Sequence, residues 1–335
     1  MRRSSRRAAG TAGERVTRVA SATFLLRLLL AAQLAAQATV GWALVVRAGL
    51  PLWAAATIVL LAPALVYGAV IGAQFAIAAN APVAGSAAPA IGLRGWLAAF
   101  LRNWWHAMLT FMVLMPLFGE RPMPQPARPT RVPVLLIHGF FCNRALWRPM
   151  ARFLAERGHP VEAVRMDPAI APLDDYAACI AREVQRLRQH AGSAEVALVC
   201  HSMGGLAARA YLRAYGDENI VRVVTIGSPH RGTLHAAYGL GANVRQMRQG
   251  SDWLRELAAC ETPDRCSRFL VILSHQDNIV APAAVQTLPG ADVVALSGIG
   301  HLSMIYDRGV WQRVADAIDR TRVGDASVRS GRSSL

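Results

Sequence analysis

The chain contains no lysine. All 36 of its basic side chains are arginines, set against 21 acidic ones, for a formal net charge of +15 over 335 residues. Two readings account for that excess: the codon composition of the genome, and a chain lying against anionic lipid. The arginines form no periodic stripe and no aromatic-plus-basic motif accompanies them, which argues against a nucleic-acid partner. Cysteine is scarce: Cys142, Cys179, Cys200, Cys260 and Cys266 make an odd count, mostly inside apolar patterns, which excludes a disulfide scaffold. Cys260 and Cys266 lie near enough to bridge in an oxidising compartment, but two free thiols are expected. The third scarcity is local. Residues 48–93 carry no charge at all.

That uncharged stretch, in a chain that is 53% hydrophobic, directs attention to the membrane. Residues 1–21 are a basic, cytoplasmic-type tail with Arg2, Arg3, Arg6, Arg7, Arg15 and Arg18 against Glu14 alone. Residues 24–46 are apolar apart from Arg27, Gln33 and Gln37, with Arg27 near the end where its head can reach the interface. A turn signal follows at Arg47-Ala48-Gly49-Leu50-Pro51, and residues 52–79 are long enough to cross ~30 Å of hydrocarbon. The natural reading is two transmembrane helices in a hairpin. The competing reading is a signal peptide cleaved near Ala36-Gln37-Ala38. Residues 96–118 carry Arg102, Trp104 and Trp105 ahead of a short apolar run, which favours an interfacial helix over a third span. Within this membrane region, 22–118, residues 81–95 read as a linker. A proline-rich linker at 119–132 acts as a semi-rigid spacer. A soluble domain then occupies 133–323, and a Ser/Gly/Arg-rich tail at 324–335 is expected to be disordered.

In the soluble domain short apolar runs alternate with helical periodicities, the pattern of a mainly parallel sheet flanked by helices. Such sheets place their sites beyond the carboxyl ends of the strands. The run at 196–200 leads into His201-Ser202-Met203-Gly204-Gly205, a strand, tight turn and helix with a serine at the apex. Ser202 is the candidate nucleophile, the alternative being an ordinary helix N-cap. The run at 134–137 ends in His138-Gly139-Phe140, so the Phe140 and Met203 amides are the candidate oxyanion hole; plain core packing is the other reading of Phe140. Asp277, just past the run at 269–273, suits a carboxylate that orients a histidine, against a turn-capping role. Asp264 and Asp292 stand in reserve. His301, in the glycine-rich loop Ser297-Gly298-Ile299-Gly300-His301, suits a general base. Residues 233–260 read equally as a lid and as a peripheral helix.

Three motifs carry a family resemblance: Ile137-His138-Gly139-Phe140, Cys200 through Gly205, and Thr225-Ile226-Gly227-Ser228-Pro229-His230-Arg231-Gly232-Thr233. They resemble bacterial lipases and esterases of the α/β-hydrolase superfamily over residues 131–322, with Cys200 where that family usually has glycine. The resemblance implies the α/β-hydrolase fold, preceded here by the N-terminal transmembrane hairpin, and a triad of Ser202, Asp277 and His301 with Phe140 and Met203 as oxyanion donors. It implies a carboxylic ester hydrolase working through an acyl-enzyme on an ester or lipid substrate, with no cofactor and no metal. With two spans and the basic tail inside, the hydrolase domain lies on the cytoplasmic side of a bacterial inner membrane; a third span would reverse this. A thioesterase or lipid acyltransferase on the same fold, and a catalytically inactive membrane protein, remain alternatives. The oligomeric state is not specified by the sequence.

Overall fold

The computed structural model describes residues 21–81 and 91–331. Six strands form its sheet: β1 (Val134–Ile137), β2 (Val161–Ala163), β3 (Val196–His201), β4 (Ile220–Ile226), β5 (Phe269–Ser274) and β6 (Asp292–Leu296). Their order is β2-β1-β3-β4-β5-β6 and every pairing is parallel. A parallel sheet must bury both faces, so its strands read as continuous apolar runs. Alternate residues accordingly feed two cores. Val134, Leu136, Ala197 and Val199 face one; Leu135, Ile137, Leu198 and Cys200 face the other. This is the expected α/β-hydrolase sheet, with two apolar helices ahead of it.

Three helices precede the sheet: α1 (Ala22–Val46), α2 (Leu52–Ala79) and α3 (Gly92–Met108). After β1 comes α4 (Arg148–Glu156), which packs on the first core. After β2 comes α5 (Leu173–Ala191), and after β3 comes α6 (Met203–Tyr215), both on the second core. Because the chain leaves β1 and β3 toward opposite faces, a crevice opens between their carboxyl ends, where sheets of this kind bind ligands. The short helices α7 (Ala242–Gln246), α8 (Asp252–Ala259) and α9 (Pro263–Ser267) lie between β4 and β5, and α10 (Arg308–Gly331) closes the chain.

The hairpin is formed by α1 and α2, both long and apolar enough to cross a membrane. At ~1.5 Å per residue, 25 and 28 residues reach about 37 and 42 Å. Pro63 sits inside α2 and leaves the carbonyl four residues earlier, that of Val59, without its helical donor. Gln37 Nε2 from α1 donates to that carbonyl at 2.7 Å, and Tyr67 donates to Gln33 Oε1 at 3.2 Å. Gln37 and Gln33 of α1 thus pair with groups of α2. Arg27, expected to extend into the interface, instead donates from Nε to the Pro116 carbonyl at 2.8 Å.

Three expectations change. Residues 96–118 fall in α3 and its continuation, a π-helical stretch Leu109–Leu114 and a last turn Met115–Phe118. One face of α3 is exposed at Leu93, Leu97, Leu101 and Trp105, while Ala99, Asn103 and Ala107 are buried. Trp104 Nε1 donates to the Ala64 carbonyl of α2 at 3.1 Å. So α3 is wedged between hairpin and sheet domain as well as presenting an apolar face. The proline-rich segment is no free spacer: Met123 and Val132 are buried, and Gln125 Nε2 donates to the Val161 carbonyl at 2.6 Å. Its prolines forgo backbone donors, but its side chains still find the edge strand β2. Finally, α10 runs on to Gly331, because residues 323–331 contain no proline, and Gly324 inside the helix weakens it by only about 1 kcal/mol while Gly331 is its last residue. Residues 332–335, most of the basic tail and residues 82–90 of the expected 81–95 linker lie outside the described residues.

One buried ion pair ties α6 to the segment between α8 and α9. Arg209 is bound by Glu261 through two contacts of 2.6 and 2.8 Å, and its Nη1 donates to the His230 carbonyl at 2.7 Å. Removing one partner strands a buried charge. Glu261→Ala is therefore expected to lower unfolding stability by about 3–5 kcal/mol in a denaturant titration, and Arg209→Met with Glu261→Leu to recover much of it.

Candidate active site

Ser202 sits between β3 and α6 at φ 56°, ψ −129°. A non-glycine residue there carries about 1–3 kcal/mol of strain, sustained only by a surround that over-determines it. The surround is close. Ser202 N–H donates to the Ile226 carbonyl of β4 at 2.9 Å. A Cβ on Gly139, just past β1, would lie 2.8 Å from Ser202 Cβ. A Cβ on Gly204 would run into the Ile137 and His138 carbonyls, and one on Gly205 into Ser228. These glycines let α6 start directly against the end of β1. Cys200, where the resembling family has glycine, is fully buried one residue before the turn, and burial pushes its thiol pKa upward.

Asp277 and His301 are brought together. His301 Nδ1 donates to Asp277 Oδ2 at 2.8 Å, and both side chains are buried. The other carboxylate oxygen accepts the Ile279 and Val280 amides at 2.8 and 2.7 Å, which fixes the acid. Gly227 (φ 58°) lies against this pair: a Cβ there would stand 3.0 Å from Asp277 Oδ2 and 3.1 Å from His301 Nδ1. The reserve acids are elsewhere. Asp292 pairs with Arg222 at 2.6 Å, and Asp264 lies in the first turn of α9.

Ser202, His301, His201 and Phe140 open on one cavity of about 400 Å³. Met203, nearly fully buried, is the first residue of α6, where helical backbone donors lack intrahelical partners. Phe140 is partly exposed at the rim, and Phe141 next to it takes φ 53°. Residues 233–260, read as a possible lid, contribute nothing to the lining of this cavity. Val244, Leu254 and Leu257 from that stretch are buried in the second core instead. Cys260 and Cys266 are free thiols. Among the described residues no cluster of three His, Cys, Asp or Glu is placed to hold a metal.

Sequence reading missed the residues that hold the His301 loop. Asn103 of α3 is 3% exposed, and its Oδ1 accepts the Leu302 and Ser303 amides at 2.9 and 3.2 Å. Asn278 Oδ1 accepts the His301 amide at 3.0 Å, while its Nδ2 donates to Gln74 of α2 at 2.9 Å. His106 Nδ1 hydrogen-bonds Ser303 Oγ at 2.9 Å, and Arg102 donates to the Gly298 carbonyl at 2.8 Å. One signal was present: an asparagine on an otherwise apolar helical face needs a partner. Its partner, some 200 positions away, could not be read from spacing.

Two neighbouring histidines are held neutral. Burial pulls His138 down to about 4, with Nδ1 donating to the Gly139 carbonyl at 3.1 Å. Burial also holds His201 well below the usual histidine range, with its ring 4.5 Å from that of His301. Below pH ~6.5 the unfolded chain takes up protons that the folded chain refuses. Stability should therefore fall as pH drops from about 6.5 toward 4, by up to about 3 kcal/mol for His138 alone. Denaturation midpoints across that range check this, and His138→Gln should flatten the fall. Asn103→Ala would leave two buried amides unpaired, at about 1–3 kcal/mol. It should reduce turnover more than tenfold, read as kcat.

A family model described as the α/β hydrolase fold matches residues 132–259. The chain is 29% identical over 153 residues to a triacylglycerol lipase of Burkholderia plantarii, covering 40% of this chain and 42% of that protein. It is 27% identical over 135 residues to the human lysosomal thioesterase PPT2, covering 38% and 43%. The chain thus spans about two fifths of the length of these curated relatives. Among solved structures, the mature Bacillus licheniformis lipase BlEst2 superposes with a TM-score of 0.49 at 20% identity, covering 56% of this chain and 91% of that one. The six-stranded parallel order and the family match agree: residues 132–259 of this chain belong to the α/β hydrolase fold.

Proposed function

We propose that the protein is a membrane-anchored serine hydrolase that cleaves carboxylic esters through Ser202, His301 and Asp277. The observation that carries this reading is the convergence of the three residues at the β1–β3 crevice: a strained serine on a glycine-lined turn, and a buried histidine locked to a buried aspartate, with serine and histidine opening on one apolar cavity. In this reading His301 Nε2 takes the Ser202 hydroxyl proton as Oγ attacks the ester carbonyl carbon. Negative charge develops on the carbonyl oxygen, and the Phe140 and Met203 amides receive it. The carbon–oxygen bond to the alcohol then breaks, and the alcohol leaves with the proton held by His301. Water, giving its proton to the same nitrogen, attacks the acyl-enzyme and frees the acid and Ser202. Asp277 keeps the Nδ1 proton in place and stabilises the imidazolium.

The hairpin supplies the anchor: two helices of spanning length with exposed Leu34, Trp42, Leu52, Trp53 and Leu60. Exposed Trp42 and Trp53 flank the turn, where Arg47 lies over the Trp42 ring, as interfacial aromatics do. The domain limits follow: a basic tail, a membrane region through Phe118, and a hydrolase domain from Pro133 onward. By the basic tail's preference the hydrolase domain lies on the cytoplasmic side. A thioester in place of the ester is the second reading, favoured by the likeness to a lysosomal thioesterase.

A fluorophosphonate probe should label the full-length wild-type chain on Ser202 and fail on Ser202→Ala. With p-nitrophenyl esters, Ser202→Ala is expected to lose at least about 10³-fold in kcat, and Asp277→Asn to lose about 10⁴-fold. Labelling that persists in Ser202→Ala, with unchanged turnover, sinks the assignment. An acyl thioester cleaved far faster than the matched oxygen ester would move it to the second reading.

A further inference from the structure

The cavity beside Ser202 is only half built from the hydrolase fold. Gly139, Phe140, Cys142 and His301 supply one side. The other side comes from elements ahead of that fold: Leu26 and Leu29 of α1, Tyr67, Val70 and Ile71 of α2, and Phe111 and Met112 beyond α3. Most of these are apolar. The stretch at 233–260, which read equally as a lid and as a peripheral helix, takes no part. The hairpin itself is a wall of the site.

The geometry also sets the depth. Trp53, near the turn, and Gln74, bonded to Asn278 beside His301, are 21 positions apart on α2, about 32 Å along a helix at ~1.5 Å per residue. The hydrocarbon of a bilayer is ~30 Å thick. With the aromatic turn at one face of the membrane, Gln74 and the reacting groups stand at the other. Val70 and Tyr67 lie four and seven positions closer to the turn, about 6 and 10 Å into the hydrocarbon. The cavity therefore runs from the water boundary, where Ser202 and His301 are, down into the acyl layer along α2. Val70 and Leu29, which line it, are also among the exposed side chains of the hairpin.

We propose that this cavity is an acyl-chain site for a long-chain lipid ester taken laterally from the membrane leaflet. The hairpin forms the wall along which the chain slides, and the substrate never passes through water. The proposal rests on the membrane-anchored hydrolase reading. A mostly apolar cavity of about 400 Å³ lies within the range of ligand pockets, with Ser202, His301, Asn278 and Gln74 toward one end and the Tyr67 hydroxyl, donated to Gln33, further along α2. That asymmetry suits an ester carbonyl at the headgroup boundary with its hydrocarbon chain below it. A short water-soluble ester would use the polar end and leave the hairpin side empty.

Two readouts on the full chain in phosphatidylcholine vesicles test this. In the first, Val70→Trp, a bulky group in the tube wall, is compared with Leu60→Trp, an exposed position on the same helix outside the tube. The ratio of kcat/KM for p-nitrophenyl palmitate over butanoate should fall at least tenfold in Val70→Trp and stay within twofold in Leu60→Trp. In the second, the Ser202→Ala chain is illuminated in vesicles containing a phosphatidylcholine with a diazirine close to the carbonyl of its palmitoyl chain. Adducts are expected on the peptide holding Phe140, Phe141 and Cys142, and should disappear when Val70→Trp is added. An unchanged palmitate-to-butanoate ratio in Val70→Trp, or no adduct on that peptide, overturns the proposal. Adducts there in a protein whose Ser202 resists fluorophosphonate would refute the hydrolase reading and leave the acyl site standing.

Discussion

The structure depends on how closely the carboxyl ends of β1 and β3 approach each other. Gly139 and Gly204 make the approach possible, since a methyl on either would strike Ser202 or the β1 carbonyls. Their closeness forces Ser202 into a conformation that only a rigid surround can hold. It sets Gly139, just past β1, against Ser202, just ahead of α6. It also opens the crevice at the point where the helices after β1 and β3 part to opposite faces. The strain at Ser202 and the close packing of α6 on the end of β1 both follow from one tight contact.

The second half of the site is supplied from outside that contact. His301 is oriented by Asp277, but the loop carrying it is tethered by Asn103 of α3 and, through Asn278, by Gln74 of α2. Asn103 and Asn278 are buried and have no water to fall back on, so each must find a partner and each fixes a geometry. The same logic operates inside the hairpin, where Gln37 answers the carbonyl that Pro63 leaves open. Polar residues that looked like blemishes in apolar helices are the joints between the helices and the sheet domain.

The fold was legible in the sequence because it rests on local signals. Apolar runs of strand length alternate with helical periodicity, and Cys200 through Gly205 places a serine between a strand and a helix. The pairing of Asp277 with His301 was legible because each follows a strand, so both lie at the same edge of the sheet. The elements misread were those whose role depends on a distant partner. The proline-rich segment looked like a spacer because proline removes donors; Met123 and Gln125 dock it regardless. The stretch at 233–260 left a lid and a peripheral helix equally open from its glycines and amphipathic pattern, and Val244, Leu254 and Leu257 are buried in the second core. Asn103 and Gln74 gave no local hint of His301, because sequence periodicity reports which face of a helix is apolar, not what that face meets.

The tethering of the His301 loop separates two boundaries that usually coincide. The unit that folds as an α/β hydrolase begins near Val132. The unit that completes the site begins more than a hundred residues earlier, near Leu26. A fragment trimmed to the first boundary would lack Leu26, Ile71, Phe75, Ala99, Ala107 and Met115 from the first core. It would also have an open flank, and the amides of Leu302 and Ser303 would face solvent in place of Asn103. For this chain the hairpin is a side of the vessel, and a fragment that leaves it out has to be rebuilt along that side.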